Sequence, residues 1–286
     1  MSYVITDETK LTGIIGRPIK QSFSPKIHNG AFQYLNLNYI YIPFEVVQQD
    51  LSKTVEAMKV LKFRGFNVTM PHKREVMNYL DEVSENAKII GAVNTVVNQN
   101  GKLVGHNTDG KGYVQSLEDE GIYVKEKTFV IAGAGGAARS VAVQLALDGA
   151  KKITILNRTI DKAHDIAQLI GMSIPNVHIE INCLENKTLA KAVEEADVLI
   201  NTTSLGMYSM EEESIIGEEK VLPSNLVVSD LIYNPAKTKL LQQAESRGCK
   251  TINGLGMLIG QAAIAFELWT EVAMPIDYIK KTLFTR

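Results

Sequence analysis

The chain is short of several things that would advertise a function. Its 286 residues hold two cysteines and one tryptophan. Cys183 and Cys249 stand far apart and form no C-x-x-C pair. That argues against a disulfide framework or a thiolate zinc site, and fits a reducing compartment. Charge of one sign is lacking too: 30 basic against 32 acidic residues leave a formal charge of −2. Neither a broad nucleic-acid surface nor an acidic solvating tail is therefore expected. The longest weakly polar stretches, 128–138 and 254–266, fall short of the roughly 20 apolar residues that span a bilayer, so no membrane partner is expected. The opening MSYVITDETK has no basic region followed by an apolar one. A secretory signal is not expected, and a cytoplasmic location is. The five histidines are scattered in sequence, which points to no metal site.

What is present is rhythm. Short β-branched runs alternate with helical patterns along almost the whole chain, the pattern of an α/β architecture. Strands are expected at 11–16, 39–46 and 65–70, and a hairpin at 92–98 and 102–107. A helix is expected to open at Ser24-Pro25, with Ser24 as its cap. Another covers 50–62, with Leu51, Val55, Met58 and Leu61 on one face. From about 110 the alternation becomes regular. Strands at 127–133, 153–156, 178–183, 197–202 and 225–230, with helices between, predict a doubly wound parallel sheet. The tail from 254 reads as two helices broken at Met274-Pro275, the first apolar nearly all round and so buried. The length suits two domains, with a boundary near 110 and a weaker one near 250.

The sequence Gly133-Ala134-Gly135-Gly136-Ala137-Ala138 fits G-x-G-x-x-A. It follows a strand and opens a helix, the context in which this motif binds a dinucleotide pyrophosphate. Asn157, Arg158 and Thr159 end the next strand, Asn157 lying 21 residues beyond Gly136. An acidic residue there would accept from a ribose 2′-hydroxyl. An arginine between neutral hydrogen-bonding groups suits a 2′-phosphate, and so NADP. The bland alternatives are a solvated Arg158 and a Thr159 that caps the following helix.

Before residue 110, polar residues cluster at strand ends. Ser22 and Ser24 flank a helix start, where an anion is favoured. In Asn67-Val68-Thr69-Met70-Pro71-His72-Lys73 the lysine is expected in the first turn of a helix, where the dipole would lower its pKa and suit proton transfer. Gly91 to Thr95 and Asn107 to Gly110 offer Asn94 and Asp109 at the two ends of the hairpin. Singly, each residue has an ordinary reading as turn, cap or solvated side chain.

Together they resemble the shikimate dehydrogenase family over essentially the whole chain. The matching elements are S-x-S (Ser22 to Ser24), N-V-T-x-P-x-K (Asn67 to Lys73), G-A-x-N-T (91–95) and N-T-D-G (107–110). They continue with G-A-G-G-A (133–137), N-R-T (157–159), N-x-T-S-x-G-M (Asn201 to Met207), D-x-x-Y-x-P (Asp230 to Pro235) and G-L-x-M-L-x-x-Q-A (Gly254 to Ala262).

The resemblance implies a Rossmann-type NADP-binding domain, 111–253. It also implies an α/β substrate-binding and catalytic domain, 1–110, completed by helices in 254–286. It implies Lys73 and Asp109 as the catalytic pair. Ser22 and Ser24 would take a substrate carboxylate, with Tyr233 lining the pocket, and Thr69, Asn94 and Gln261 would bond ring hydroxyls. Gly133, Ala134, Gly135, Gly136 and Ala137, with Asn157, Arg158 and Thr159, would hold NADP. Leu231, Gly254 and Met257 would lie at its nicotinamide end. The expected reaction is reversible NADPH-dependent reduction of 3-dehydroshikimate to shikimate, in aromatic amino acid biosynthesis. A homodimer is among the states the sequence allows. The nearest alternative is a quinate/shikimate dehydrogenase using NAD or both cofactors, against which Asn157-Arg158-Thr159 argues. A non-catalytic ligand-binding homologue is the other, against which the intact Lys73 and Asp109 argue.

Overall fold

The computed structural model describes residues 5–20, 22–217 and 222–284. The chain folds as two compact units, dividing between Thr108 and Asp109 and again between Gly260 and Gln261.

The first unit holds β1 (Lys10–Gly16), β2 (Tyr39–Glu45), β3 (Gly65–Val68), β4 (Glu82–Val83), β5 (Thr95–Gln99) and β6 (Lys102–His106). Their order in the sheet is β2-β1-β3-β5-β6-β4. Strand β1 is parallel to β2 and β3, while β5 is antiparallel to β3 and β6. The β5–β6 hairpin closes where Asn98 Oδ1 accepts the Gly101 N–H at 2.7 Å. Helices α1 (Ser24–Tyr34), α2 (Leu51–Val60) and α3 (Glu85–Ile90) accompany the sheet. On α2, Leu51, Val55 and Met58 are buried as the period predicts, but Leu61 is 62 % exposed. The helix ends at Val60 and Lys62 turns left-handed, so Phe63 enters the core in its place.

One buried group sets an acid limit on this unit. His28 stacks on Tyr41 at 4.5 Å and lies 5.1 Å from Trp269. Among the described residues neither ring nitrogen has a hydrogen-bond partner. Burial lowers its pKa from 6.5 to about 3. The unfolded chain therefore takes up a proton that the folded chain refuses. The stability involved is intact above the unfolded pKa near 6.5 and is lost as pH falls towards about 3, by up to about 1.4 kcal/mol per pH unit. His28→Phe is expected to flatten that acid slope in urea titrations between about pH 6 and 4. An unchanged slope would place the acid sensitivity elsewhere.

The second unit holds β7 (Thr128–Ala132), β8 (Lys152–Leu156), β9 (His178–Asn182), β10 (Val198–Asn201), β11 (Val227–Asp230) and β12 (Lys250–Ile252). Their order is β12-β11-β10-β7-β8-β9, and every pair is parallel. This is the doubly wound order with its reversal between β7 and β10, where such sheets bind ligands at their carboxyl ends. Helices α4 (Asp109–Glu118), α5 (Gly136–Leu147), α6 (Ile160–Ser173), α7 (Asn186–Val193) and α8 (Lys239–Ser246) complete the unit. Strand β12 and helix α8 were not expected, and α7, expected only as a helix between two strands, had no bounds. A three-residue strand and two helices of eight residues give too short a period to read.

The tail forms α9 (Leu255–Thr270) and α10 (Ile276–Leu283), and α9 runs across the second division. Its start belongs to the second unit: a Cβ at Gly256 would lie 2.7 Å from Ser116 Cβ, and one at Gly260 would lie 2.8 Å from the Gly112 carbonyl oxygen. Its end belongs to the first. Trp269 is wholly buried, its Nε1 donates to Val96 O at 3.0 Å, and its carbonyl accepts from Tyr39 Oη at 3.1 Å. Gly65 leaves the indole its room, since a Cβ there would sit 2.1 Å from Nε1. The units divide here at 108 and 260, against the expected 110 and 253. The shift arises because one continuous helix serves both cores.

Candidate active site

In the first unit the topology gathers the polar motifs at one end of the sheet. The carboxyl ends of β1, β3 and β6 and the amino end of the antiparallel β5 meet there. Residues 22–24 follow β1, 69–73 follow β3, Asn94 precedes β5, and Asn107 and Thr108 follow β6. The approach is close: a Cβ at Gly16 would lie 2.2 Å from Thr69 Cγ2. Thr69 N donates to Ile15 O at 2.9 Å and Arg17 N to Met70 O at 2.9 Å.

Two local expectations need correction. Ser24 is not the cap of α1; it is the first helical residue, after Phe23. The cap-like bond comes from Ser22, whose Oγ accepts the Ser24 N–H at 3.3 Å. Lys73 does not open an α-helix. It lies in a turn ahead of a 3-10 helix, Glu75–Tyr79, so the dipole invoked for it is absent. Its position is held otherwise. The neighbouring His72 is buried, with Nε2 2.8 Å from Val46 O, and Lys73 O accepts from Val93 N at 2.7 Å.

Asn94 is wholly embedded in hydrogen bonds. Its Oδ1 accepts from Thr108 N at 2.8 Å and Thr95 Oγ1 at 3.0 Å, and its Nδ2 donates to Thr108 Oγ1 at 3.0 Å. Asn67 Nδ2 donates to Asn94 O and to Thr95 Oγ1, at 3.1 and 3.0 Å. These bonds fix which face of each amide is donor and which acceptor. Asp109 follows directly on the pinned Thr108 and starts α4 in the second unit, buried. Asn67, Thr95, Thr108 and His72 were not assigned roles from sequence, although all four lie within the matched motifs.

In the second unit the glycine turn sits at the strand-order reversal. Gly133 has φ +111°, and a Cβ there would lie 2.3 Å from Thr202 Oγ1. Thr202 itself bonds Ala132 O through N at 2.9 Å and Oγ1 at 2.7 Å, joining β7 to β10. Gly135 and Gly136 differ: a Cβ on either would meet nothing within 4 Å. No protein atom forbids a side chain there. The open space lies over the start of α5, whose cap Gly135 supplies no side-chain bond. That arrangement fits a phosphate held by backbone N–H groups. At the end of β8, Asn157 Nδ2 donates to Thr159 O at 2.7 Å, and Arg158 and Thr159 are exposed. Thr159 occupies the cap position of α6 but makes no capping bond.

The loop after β11 is tied by a buried carboxylate. Asp230 Oδ1 accepts from Asn201 Nδ2 at 3.1 Å and Ile232 N at 3.0 Å, and Oδ2 accepts from Thr238 Oγ1 at 2.7 Å. Burial pushes its pKa up, and those three donors oppose the rise. Gly254 packs on this loop's backbone, where a Cβ would fall 2.0 Å from Leu231 O. Leu231 and Gly254 are thus brought together. Tyr233 is half-buried, and burial first, then Tyr208, raises its pKa. Met257 and Gln261 lie on α9, one on each side of the division. Among the described residues no group of three His, Cys, Asp or Glu could hold a metal ion, and no helix is long and apolar enough to cross a membrane.

A doubly wound sheet with a glycine turn at its order reversal defines a dinucleotide-binding protein, here joined to a second α/β unit rich in convergent polar groups. Comparison with known proteins narrows the class. Family models match residues 14–96 (shikimate dehydrogenase substrate binding domain), 116–235 (shikimate / quinate 5-dehydrogenase) and 254–284 (shikimate 5'-dehydrogenase C-terminal domain). A shikimate dehydrogenase (NADP(+)) of Alkaliphilus metalliredigens is 54 % identical over 286 residues, 100 % of both chains. The chain superposes on a Listeria monocytogenes shikimate 5-dehydrogenase, in complex with shikimate and NAD, with a TM-score of 0.96 at 42 % identity and 99 % coverage of each chain. It also superposes on the Thermus thermophilus enzyme, in complex with NADP(H) and shikimate, with a TM-score of 0.84 at 33 % identity, covering 95 % of this chain and 97 % of that one. The chain belongs to the shikimate dehydrogenase family.

Proposed function

We propose that this chain catalyses the reversible NADPH-dependent reduction of 3-dehydroshikimate to shikimate, a step in aromatic amino acid biosynthesis. The observation that carries the reading is the gathering of Ser22, Ser24, Thr69, Lys73 and Asn94 at one end of the first sheet, in a chain whose other sheet has the dinucleotide order. The substrate domain is read as 1–110 with 254–286 and the NADP domain as 111–253.

When bound, NADP(H) supplies or accepts the hydride. The remaining chemistry falls to side chains. Lys73 donates a proton to the developing ring alkoxide or stabilises it, and accepts the proton in the reverse direction, with Asp109 as its partner in the catalytic pair. Ser22 and Ser24 bind the substrate carboxylate, Tyr233 lines the pocket, and Thr69, Asn94 and Gln261 bind the substrate's hydroxyls. The glycine turn 133–137 takes the pyrophosphate, while Leu231, Gly254 and Met257 line the nicotinamide end. Asn157, Arg158 and Thr159 read the 2′-phosphate. Exposure of Arg158 supports this, since an exposed guanidinium is open to a ligand's phosphate. Arg158→Ala is expected to raise KM for NADP+ about tenfold and to leave KM for NAD+ nearly unchanged. Equal losses with both cofactors would remove Arg158 from phosphate recognition.

Assay of shikimate and quinate, each with NADP+ and NAD+, tests the whole reading. Turnover is expected with shikimate and NADP+. Preference for quinate with NAD+ would favour the alternative reading, and absence of turnover by folded protein would overturn the reaction. We expect the enzyme in the cytoplasm, and a homodimer is the assembly to test first, by light scattering.

A further inference from the structure

One buried charge in the second unit has no part in the reaction as derived. Asp230 ends β11 and is wholly buried. Asn201 Oδ1 accepts from Thr203 N at 3.0 Å, so the side of the Asn201 amide that faces Asp230 is its NH2 group. Ile232 offers a backbone N–H. Thr238 Oγ1 accepts from Leu241 N at 3.4 Å, and its proton goes to Asp230 Oδ2. Three donors therefore surround the carboxylate, the environment of its ionised form. Among the described residues no cation pairs with it. The lysines nearest in sequence are turned away: Lys237 pairs with Glu245, and Lys239 Nζ donates to Glu212 O at 2.7 Å. Buried charges are ordinarily paired. This one is met only by neutral dipoles, one of them at the start of α8.

Topology gives the charge its place. The strand order reverses between β7 and β10, and a dinucleotide lies across such a reversal with one nucleotide on each half of the sheet. Asn157, Arg158 and Thr159, read as holding the 2′-phosphate, end β8 on one side. The nicotinamide then falls to the other side, at the carboxyl ends of β10 and β11. Leu231 directly follows Asp230, and a Cβ at Gly254 would lie 2.0 Å from the Leu231 carbonyl oxygen. Both residues are read as lining the nicotinamide end. The nicotinamide ring is cationic in NADP+ and neutral in NADPH.

We propose that Asp230 supplies the counter-charge for an oxidised nicotinamide, and so sets the preference of this chain between NADP+ and NADPH. Buried beneath its own loop, the carboxylate acts through space. A fixed negative charge stabilises a cationic ring and leaves a neutral one nearly unaffected. The inference rests on the NADP(H) reading of the same site, and deepens it by naming the residue that tells the two redox forms apart.

Affinities for NADP+, NADPH and 2′,5′-ADP, measured by calorimetry on wild type and Asp230→Asn, test this. The last ligand keeps the phosphate-bearing half of the cofactor and lacks the nicotinamide. Asp230→Asn is expected to weaken NADP+ about tenfold, the scale of one charge acting through partly screened protein. NADPH and 2′,5′-ADP should stay within about twofold, since neither carries the charge of the oxidised ring. A merely structural role of Asp230, as the tie of the loop after β11, would weaken NADP+ and NADPH alike. Equal factors for the two forms, or an unchanged affinity for NADP+, would overturn the proposal. Should Asp230→Asn fail to fold, wild type decides. It should bind NADP+ at least as tightly as NADPH, because a cationic ring loses more solvation on burial and needs the opposite charge. Tighter binding of NADPH would then overturn the proposal. Wild type that binds neither form would overturn the cofactor reading itself, whereas binding of both with an unshifted ratio in Asp230→Asn would overturn this inference alone.

Discussion

Lys73→Ala is expected to lower kcat by about a thousandfold while the affinity for NADP+ stays within about twofold, because on the proposed reading Lys73 is a positioned proton donor, worth roughly 10²–10⁴ in rate. The structure gives reasons for the size of the effect. Lys73 is not placed by a helix. It is placed by a turn clamped on both flanks, through His72 to Val46 O and through its own carbonyl to Val93 N. A donor held in this way avoids the cost of being ordered at the moment of reaction. The measurement is steady-state kcat for shikimate oxidation together with cofactor titration by fluorescence. Unchanged turnover would remove Lys73 from proton transfer. A parallel loss of NADP+ binding would mean that the second unit had been disturbed.

Trp269→Ala lowers the stability of the first unit by about 3–5 kcal/mol, the range for emptying a large aromatic site in a core. The indole is wholly buried, its Nε1 satisfies Val96 O, and Gly65 has no side chain so that it can fit. Truncation leaves a cavity and removes the donor from a strand carbonyl at once. Urea denaturation followed by circular dichroism reads the loss. A change below about 1 kcal/mol would mean that the returning helix is an appendage and not part of that core. Trp269→Phe, which keeps most of the volume and loses the N–H, should cost less.

Much of this molecule is legible in its residues. The glycine turn between a β-branched run and an apolar helical run specifies its own geometry: Gly133 needs a positive φ beside Thr202, and Gly135 and Gly136 leave space that no protein atom fills. The alternation of strand and helix gave the doubly wound sheet, because burial on both faces leaves near-continuous Val and Ile runs. The motif residues around 22, 67–73, 94 and 107–109 were likewise visible, being polar groups at strand ends. Short elements were not. A strand of three residues and a helix of eight hold too few periods to stand out, and their existence is settled by the neighbours they cover. The dipole reading of Lys73 failed for a related reason, since a Pro-containing turn and a 3-10 helix share the local residues of a helix start.

What the sequence determined by itself is the identity of the chemical groups and their order: serines, lysine, asparagine and aspartate in one part, glycine turn and arginine in the other. The tertiary structure alone decided two things. Whether α9 belongs to one core or two depends on which surfaces Gly256, Gly260 and Trp269 meet, and those surfaces lie more than 100 residues away along the chain. Which way each hydroxyl and amide points is decided by partners on other strands. Tyr41 lies on β2, within a run that the sequence marks only as a strand. Its phenol donates to Asn67 Oδ1 on β3 at 2.6 Å, because a hydroxyl has one proton to give and the fold chooses where it goes.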